Sequence, residues 1–202
     1  MTAADMPGVD VTSTAATMPA LDVATMPGLD VSSRVRARDI QMAGVADVRR
    51  RVLMISGAID TTDHDISLCV NLPEPGRWQI IKSMTNLTDQ TWVAIQVTTG
   101  EESSFVDDGE NAVISRQFAK TFMTPDQRRL TFYDGEVRPG ESLLKMYSLE
   151  TSARRPTYSY SQYSPIAADS METSATKLGH MITDGLPSRP VIELIVPVTV
   201  IG

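Results

Sequence analysis

Cysteine, histidine and glycine-rich motifs are scarce in this sequence, and each scarcity argues against a class of protein. The single cysteine, Cys69, cannot form an internal disulfide, and its setting in DISLCVNL indicates a small buried hydrophobic residue. Neither G-x-G-x-x-G nor G-x-x-x-x-G-K-[ST] occurs, so we expect no nucleotide cofactor. The two histidines, His64 and His180, have no accompanying G-x-S-x-G turn. We therefore predict that the protein is not an enzyme and needs no cofactor.

Long apolar runs and a basic leader are also missing. No apolar segment approaches the roughly 20 residues that span a bilayer, so we expect no membrane span. The first ten residues, MTAADMPGVD, have neither a basic region nor a continuous apolar stretch, which predicts no secretory signal. A chain of 202 residues suffices for one domain of ordinary size with an extension.

Metal-ligating side chains are concentrated in one stretch, DTTDHD at residues 60–65. Calcium takes about six to eight oxygen ligands, usually from more than one segment, and this stretch lacks the spacing of an EF-hand loop. It lies between two predicted strands, where Asp and Thr favour turns. We therefore predict a surface turn and no metal site.

Charge is distributed unevenly along a chain whose net charge is −7. Residues 1–33 contain four Asp and no basic residue, and residues 34–51 then bring six arginines together. The acidic remainder argues against a protein that grips nucleic acid over its whole surface. The basic segment is either a candidate contact for polynucleotide phosphates or a solvated linker. The candidate residues are Arg34, Arg36, Arg38, Arg49, Arg50 and Arg51.

Three copies of the pattern Met-Pro-small-aliphatic-Asp-Val begin the chain, reading MPGVDV, MPALDV and MPGLDV. Each proline disfavours helix at the preceding Met, and the alternation that follows predicts an extended backbone. Residues 1–33 have no aromatic residue and cannot bury enough apolar surface to fold alone. We predict an extended N-terminal arm that docks on neighbouring subunits, with a disordered tail as the alternative. The predicted anchors are Met6, Pro7, Val9, Met18, Pro19, Leu21, Met26, Pro27 and Leu29.

The rest of the chain predicts an all-β fold. Residues 34–50 are expected to be a basic linker with at most one helical turn. From residue 51 to residue 202, β-rich runs alternate with turn signals at a spacing of about ten residues, which is typical of an antiparallel β-sandwich or jelly roll. Within this domain we expect a turn at Asp134-Gly135, a short helix near MITDGL, and a kink, bulge or edge position at Pro197.

A tyrosine-rich stretch, TYSYSQYS at residues 157–164, is predicted to be a loop. Tyr158, Tyr160 and Tyr163 offer large contact area at a small entropic cost. The loop would contact a protein partner or a sugar. In the alternative, its rings pack on the edge of the sandwich.

A β-sandwich that follows an extended arm resembles the jelly-roll coat proteins of small non-enveloped icosahedral viruses. The segment YDGEVRPGESLLKMYSL, residues 133–149, is similar to a Gly-Glu…Ser…Leu-Leu-Lys-x-Tyr segment in capsid proteins of picorna-like viruses of insects and algae. In those proteins the segment precedes most of the jelly-roll strands, whereas here it lies in the second half of the chain. The matching residues are Gly135, Glu136, Ser142, Leu143, Leu144, Lys145 and Tyr147.

The resemblance implies a structural subunit of a capsid shell, made in the host cytoplasm and located in the virion. Its partners would be copies of itself or sister coat proteins, together with genome nucleic acid at the basic linker. Two other functions fit the same sequence. One is a non-catalytic β-sandwich module that binds carbohydrate or protein through the tyrosine-rich stretch, and the other is a phage decoration or tail-associated protein.

Overall fold

Two β-sheets packed face to face form the part of the chain that the computed structural model describes, which is residues 40–107, 113–152, 159–167 and 175–202. For Ile40, residues 159–167 and residues 175–177 the description is of the backbone. These ranges hold thirteen strands and one helix. In chain order they are β1 (Ile40–Asp47), β2 (Val52–Ile59), β3 (Asp65–Val70), β4 (Gly76–Asn86), β5 (Trp92–Thr99), β6 (Ser103–Phe105), β7 (Ile114–Ser115), β8 (Phe118–Met123), β9 (Arg129–Val137), β10 (Ser142–Thr151), β11 (Ser159–Ala167), α1 (Ala175–Asp184), β12 (Val191–Val196) and β13 (Val198–Ile201).

The chain crosses repeatedly from one sheet to the other. Sheet A has the order β12-β3-β11-β5-β9-β8, and sheet B has the order β13-β1-β2-β4-β10-β6, with β7 also pairing with β10. From β2 to β5, successive strands alternate between sheets B and A. Neighbours within a sheet are therefore often far apart in sequence. The predicted all-β class is confirmed.

Both sheets contain parallel pairs, which corrects the prediction of a purely antiparallel sandwich. β12 runs parallel to β3, β13 runs parallel to β1, and β2 runs parallel to β4. Parallel neighbours need a long crossover connection, and strands of the opposite sheet provide it here. Several turns that looked like hairpin signals in the sequence instead join strands of different sheets.

Strand β1 lies inside the segment that was predicted to be a basic linker. It pairs with the whole length of β2, from Ile40 opposite Ile59 to Asp47 opposite Val52, and it buries Met42 and Ala46. The linker and helical-turn interpretation is therefore wrong for residues 40–47. The small residues at alternate positions concealed the period of a strand. The predicted arm, residues 1–33, lies outside the described residues.

The tyrosine-rich stretch is a strand over residues 159–167, which corrects the loop prediction there. β11 pairs with β3 on one side and with β5 on the other, so it lies in the middle of sheet A. Tyrosine favours strands, and a polar strand fits this position because its neighbours are polar on their outer face. Tyr160 and Tyr163 are in this strand, and Tyr158 lies outside the described residues.

Three further local predictions have different outcomes. The turn expected at Asp134-Gly135 is wrong, because β9 continues through it with a shift in register between Tyr133 and Val137. Asp134 has a φ of 64°, which a bulge accommodates and a regular strand does not. The kink at Pro197 is confirmed, since this residue separates β12 in sheet A from β13 in sheet B. The short helix is confirmed as α1.

The hydrophobic core fills the space between the two sheets. Trp78, Trp92, Phe105 and Phe132 are each at most 2% exposed. The ring of Phe105 meets the ring of Tyr147 edge to face, with centroids 5.3 Å apart, a favoured aromatic geometry. These side chains come from both sheets, so the core holds the sheets together.

Two lysines lie within this core. Lys82 in β4 and Lys145 in β10 are direct cross-strand neighbours, and each is 1% exposed. The Nζ atom of Lys82 lies 5.5 Å from the ring centre of Tyr147, and Nζ of Lys145 lies 5.9 Å from that of Phe132. Burial lowers the pKa of Lys82 to about 7. Burial, and secondarily the charge of Lys82, lowers the pKa of Lys145 well below its ordinary value.

The lysine pair makes stability depend on pH. Between pH of about 7 and 10.5, the unfolded chain carries a proton on Lys82 that the folded protein lacks, so the free energy of unfolding rises with pH. The slope is at most about 1.4 kcal/mol per pH unit for each lysine. We expect Lys145→Met to raise the stability near pH 7 and to flatten this slope, as measured by urea unfolding with tryptophan fluorescence. Lys120→Met, on the exposed face of β8, is the control, and an unchanged slope in K145M contradicts the prediction.

Gly57 in β2 allows the close approach of β1. A Cβ atom there would lie 2.2 Å from the carbonyl oxygen of Gln41. The backbone of β1 or β2 would have to move to relieve this steric clash. We expect Gly57→Ala to lower the free energy of unfolding by about 1–3 kcal/mol. The control is Gly179→Ala in α1, where nothing lies within 4 Å of the added atom and alanine should stabilise the helix by about 0.5–1 kcal/mol. If both substitutions changed the free energy of unfolding equally in the same urea titration, the close approach of β1 to Gly57 would be refuted.

Candidate functional site

The outer face of sheet A is polar in its centre. In β3, β5 and β9, core residues alternate with polar ones, so the polar positions share the opposite face. The register aligns them into two rows across the sheet. One row contains Ser67, Thr98 and Arg129, and the other contains Gln96 and Thr131, with the backbone of β11 lying between β3 and β5.

Helix α1 packs on this face beside the polar rows. Met181 packs on Ala94, with Leu178, Leu186 and Tyr133 around them. The side chain of Gln96 donates a hydrogen bond of 2.5 Å to the carbonyl oxygen of Met181. The apolar contact is small, and the helix covers polar residues of the sheet that are almost fully buried, such as Gln96 at 2% exposure.

Arg129 and Gly185 hold the C-terminal end of α1 on the sheet. Nη2 of Arg129 donates to the carbonyl oxygen of Thr183 at 2.5 Å, which satisfies one of the last free carbonyls of the helix. Gly185 has a φ of 96° and donates its N–H to the carbonyl oxygen of Met181 at 2.9 Å. A Cβ atom at Gly185 would lie 2.8 Å from Nη1 of Arg129, so glycine is needed both for the turn and for the arginine beneath it.

A polar cleft of about 270 Å³ lies between the end of α1, the α1–β12 connection and the outer face of sheet A. We call it the α1 cleft. Thr98 and Gln96 come from β5, and Arg129 begins β9. The connection from Gly185 to Arg189 forms the opposite wall. The charged and polar side chains of the lining are Asp65, Gln96, Thr98, Arg129, Asp184, Ser188 and Arg189.

One wall of the α1 cleft is a buried ion pair. Oδ1 of Asp65 accepts hydrogen bonds from Nε of Arg189 at 3.1 Å and from Nη2 at 2.7 Å. The two side chains are 5% and 18% exposed. Because Asp65 begins β3 and Arg189 lies two residues before β12, the pair ties these parallel strands together at the cleft.

Three buried polar atoms on this face of sheet A have no hydrogen-bond partner among the described residues: Oγ of Ser67, Nε of Arg129 and Oγ1 of Thr131. Ser67 and Thr131 are 0% exposed. Buried polar groups are normally paired with protein, water or a bound molecule. Arg129 belongs to the lining of the α1 cleft, and the two hydroxyls lie in the same polar rows.

The second distinctive feature is the edge of sheet B at β13. Val200 and Ile201 are 53% and 46% exposed. The carbonyl oxygens of Pro197 and Ile201 accept hydrogen bonds of 2.9 Å from Gly44 and Val48, so they point towards β1. Since successive residues of a strand alternate in direction, the N–H and C=O groups of Val198 and Val200 point to the outer edge, where no described strand pairs with them.

Both edges of sheet A carry the charges that discourage pairing with another chain, and the second edge of sheet B, β6, is only three residues long. Strand β8 at one edge of sheet A has the exposed Lys120, and β12 at the other has the exposed Glu193. Strand β13 reads Val-Thr-Val-Ile and has no charge. It is therefore the apolar, unprotected edge of the part of the chain that the structure describes.

The structure separates the predicted nucleic-acid contacts. Arg34, Arg36 and Arg38 lie outside the described residues, whereas Arg49 and Arg50 are exposed in the turn between β1 and β2. Arg51 is engaged within its own domain. Its Nη1 and Nη2 donate at 2.5 Å to Glu74 and to the carbonyl oxygen of Pro75, and its guanidinium carbon lies 4.7 Å from the ring centre of Trp78.

The remaining candidates are placed as follows. In residues 60–65, Nδ1 of His64 lies 2.8 Å from the carbonyl oxygen of Thr62, and Asp65 pairs with Arg189. Among the described residues, no group of three or more His, Cys, Asp or Glu side chains is arranged to hold a metal ion. Cys69 is half-buried on the outer face of sheet A, and burial, then the charge of Glu193, raises the pKa of its thiol. Within the described ranges, no helix has the length and apolar character needed to cross a membrane.

Sequence reasoning missed the α1 cleft, because its lining comes from five secondary-structure elements and one connection. The signal it left is the run of polar residues at alternate positions in β5 and β9, which reads as an ordinary solvent-facing side. It missed the β13 edge for a different reason, since the sequence does not reveal which strands end a sheet.

Comparison with known proteins adds one match. A model described as "Family of unknown function (DUF6423)" matches residues 42–202. The matched range takes in all the described elements except the first two residues of β1, and it excludes the three repeats. No curated protein and no solved structure matches the chain.

The Asp65–Arg189 pair should be strongly coupled. Arg189→Met leaves a buried carboxylate without its two arginine bonds, and we expect a loss of about 3–5 kcal/mol in the free energy of unfolding. Asp65→Asn in the same chain should recover part of this loss, because the buried negative charge is gone. Arg77→Met is the matched control, since Arg77 pairs with Glu150 at the surface and such pairs contribute about 0–1 kcal/mol. Similar losses for R189M and R77M would show that the buried pair has no special role.

Proposed function

We propose that this chain, which belongs to the DUF6423 family of unknown function, is a structural subunit of a viral capsid shell that assembles through its N-terminal arm. The observation that carries the proposal is the unprotected edge at β13. This edge lies beside β1, the first strand described after the arm. The arm repeats and the edge are chemically matched, because the edge combines aliphatic side chains with an extended backbone and the sequence predicts the same combination for the repeats.

The crossing of successive strands between the two sheets supports the finer assignment of the sandwich as a jelly roll, from which the parallel pair β2–β4 departs. A jelly roll is a two-sheet β fold made of two Greek keys. Strands β2 to β5 alternate between sheets B and A, and β9, β10 and β11 lie in A, B and A. Capsid proteins are one of the protein classes built on this fold, although the fold by itself does not define a function.

Strand addition is the mode of contact that fits the edge. Val198 and Val200 present two N–H and two C=O groups outward, and an extended Leu-Asp-Val or Val-Asp-Val segment of another copy has the complementary groups. The aliphatic side chains of such a segment would pack with Val200 and Ile201. Each contact is small, but many copies in a shell make the contacts cooperative through effective concentration.

Genome contact forms part of the proposal only for the arginines that are not engaged elsewhere. Arg49 and Arg50 are exposed, Arg50 with only a 3.9 Å surface ion pair to Asp47, whereas Arg51 is held by Glu74 and Trp78. A phage decoration or tail-associated protein would use the same edge on a pre-existing scaffold. A monomeric binding module is the competing function, and the oligomeric state of the protein separates it from both.

Val200→Pro tests the edge without breaking the sheet. The N–H of Val200 points outward, so proline removes a donor for another chain and leaves the β1–β13 bonds intact. We expect V200P, and deletion of residues 1–33, to keep the native tryptophan fluorescence but to abolish shells seen by negative-stain microscopy. The matched control is Val200→Thr, which keeps the N–H and should assemble normally. A full-length protein that stays monomeric, or shells of unchanged yield and size from both variants, would refute the proposal.

A further inference from the structure

We propose that the α1 cleft binds a small ligand through an oxyanion, either a phosphate or a carboxylate, that accepts hydrogen bonds from Arg129. The proposal rests on a different surface from the assembly edge and is independent of it. The cleft is on the outer face of sheet A, and β13 is in sheet B. Binding in the cleft would therefore be a second property of the subunit.

The charges in the cleft leave one cation uncompensated. Asp65 and Arg189 neutralise each other through two hydrogen bonds. The side chain of Asp184 is 72% exposed and lies 3.5 Å from His180, so solvent screens its charge. Within the described residues, no carboxylate forms an ion pair with Arg129. The inner part of the cleft thus presents a positive charge that an anion would balance.

The hydrogen-bonding groups also favour an anion. Nη2 of Arg129 donates to the carbonyl oxygen of Thr183, which fixes the guanidinium group in place, and Arg129 lines the cleft. The hydroxyls of Thr98 and Ser188 line the same space. Guanidinium and hydroxyl donors are the groups with which proteins bind phosphates and carboxylates. The lining therefore offers a fixed guanidinium edge and rotatable hydroxyls to one acceptor-rich group.

The burial of this polar face needs a reason beyond the packing of a helix. Covering Gln96, which is 2% exposed and donates to the carbonyl oxygen of Met181, costs free energy of desolvation, and an apolar face would hold α1 more strongly. A volume of about 270 Å³ is just below the range of about 300–1,000 Å³ typical of ligand pockets. The ligand is therefore small, and its oxyanion is the part that Arg129 recognises.

Isothermal titration of the full-length protein with inorganic phosphate and with citrate tests the proposal and distinguishes the two anions. We expect saturable binding of at least one probe, and at least a tenfold weaker affinity in Arg129→Gln. Arg128→Gln is the matched control, because Arg128 is the adjacent residue but donates to the carbonyl oxygen of Glu101 and does not line the cleft. It should bind like the unaltered protein.

A second variant covers the case in which R129Q loosens helix α1. Thr98→Val keeps the shape of the side chain and the contacts of Arg129, and removes one hydroxyl from the cleft. We expect it to weaken binding about threefold to tenfold with an unchanged melting temperature. The proposal is overturned if neither phosphate nor citrate binds saturably, or if R129Q and T98V both bind as tightly as R128Q.

Discussion

Burial of alternate side chains between the two sheets is the constraint on which the rest of this structure depends. Each strand that crosses between the sheets must supply apolar residues to the core at every second position. The residues at the intervening positions face away from the core and do not have to be apolar. In sheet A, this freedom produces a face of hydroxyl, amide and guanidinium groups, and α1 covers part of it. The core and the α1 cleft are thus the two sides of the same strands.

The lysine pair shows how firmly the alternation is imposed. Lys82 and Lys145 occupy core positions of β4 and β10, directly opposite one another, and their amines lie near aromatic rings rather than in water. The surrounding apolar contacts must outweigh the desolvation of both amines. A lower pKa relieves part of that cost, because a neutral amine is easier to bury than an ammonium group.

Much of the fold could be predicted because β-rich runs and turn residues are local signals. The apolar residues of β2, β3 and β10 have this character, and so does the break at Pro197. The predictions that failed depend on partners distant in sequence. Residues 40–47 form a strand because β2 lies beside them, and residues 159–167 do so because β3 and β5 flank them. The site depends still more on distant partners, since Asp65 and Arg189 meet only when β3 and β12 pair.

The arm repeats differ from these strands. Their pattern is evident in the sequence, but their predicted contacts lie on another molecule.

The pairing of β12 with β3 and of β13 with β1 also bears on how the chain reaches this state. These pairs join Asp65 to Val191 and Gly44 to Val198, so large loops must close before either contact stabilises anything. Topologies dominated by such distant contacts fold slowly, over roughly milliseconds to seconds. Until β13 arrives, the side of β1 that it covers offers its hydrogen-bonding groups to any passing strand, and the newly made chain is most vulnerable to aggregation in that interval.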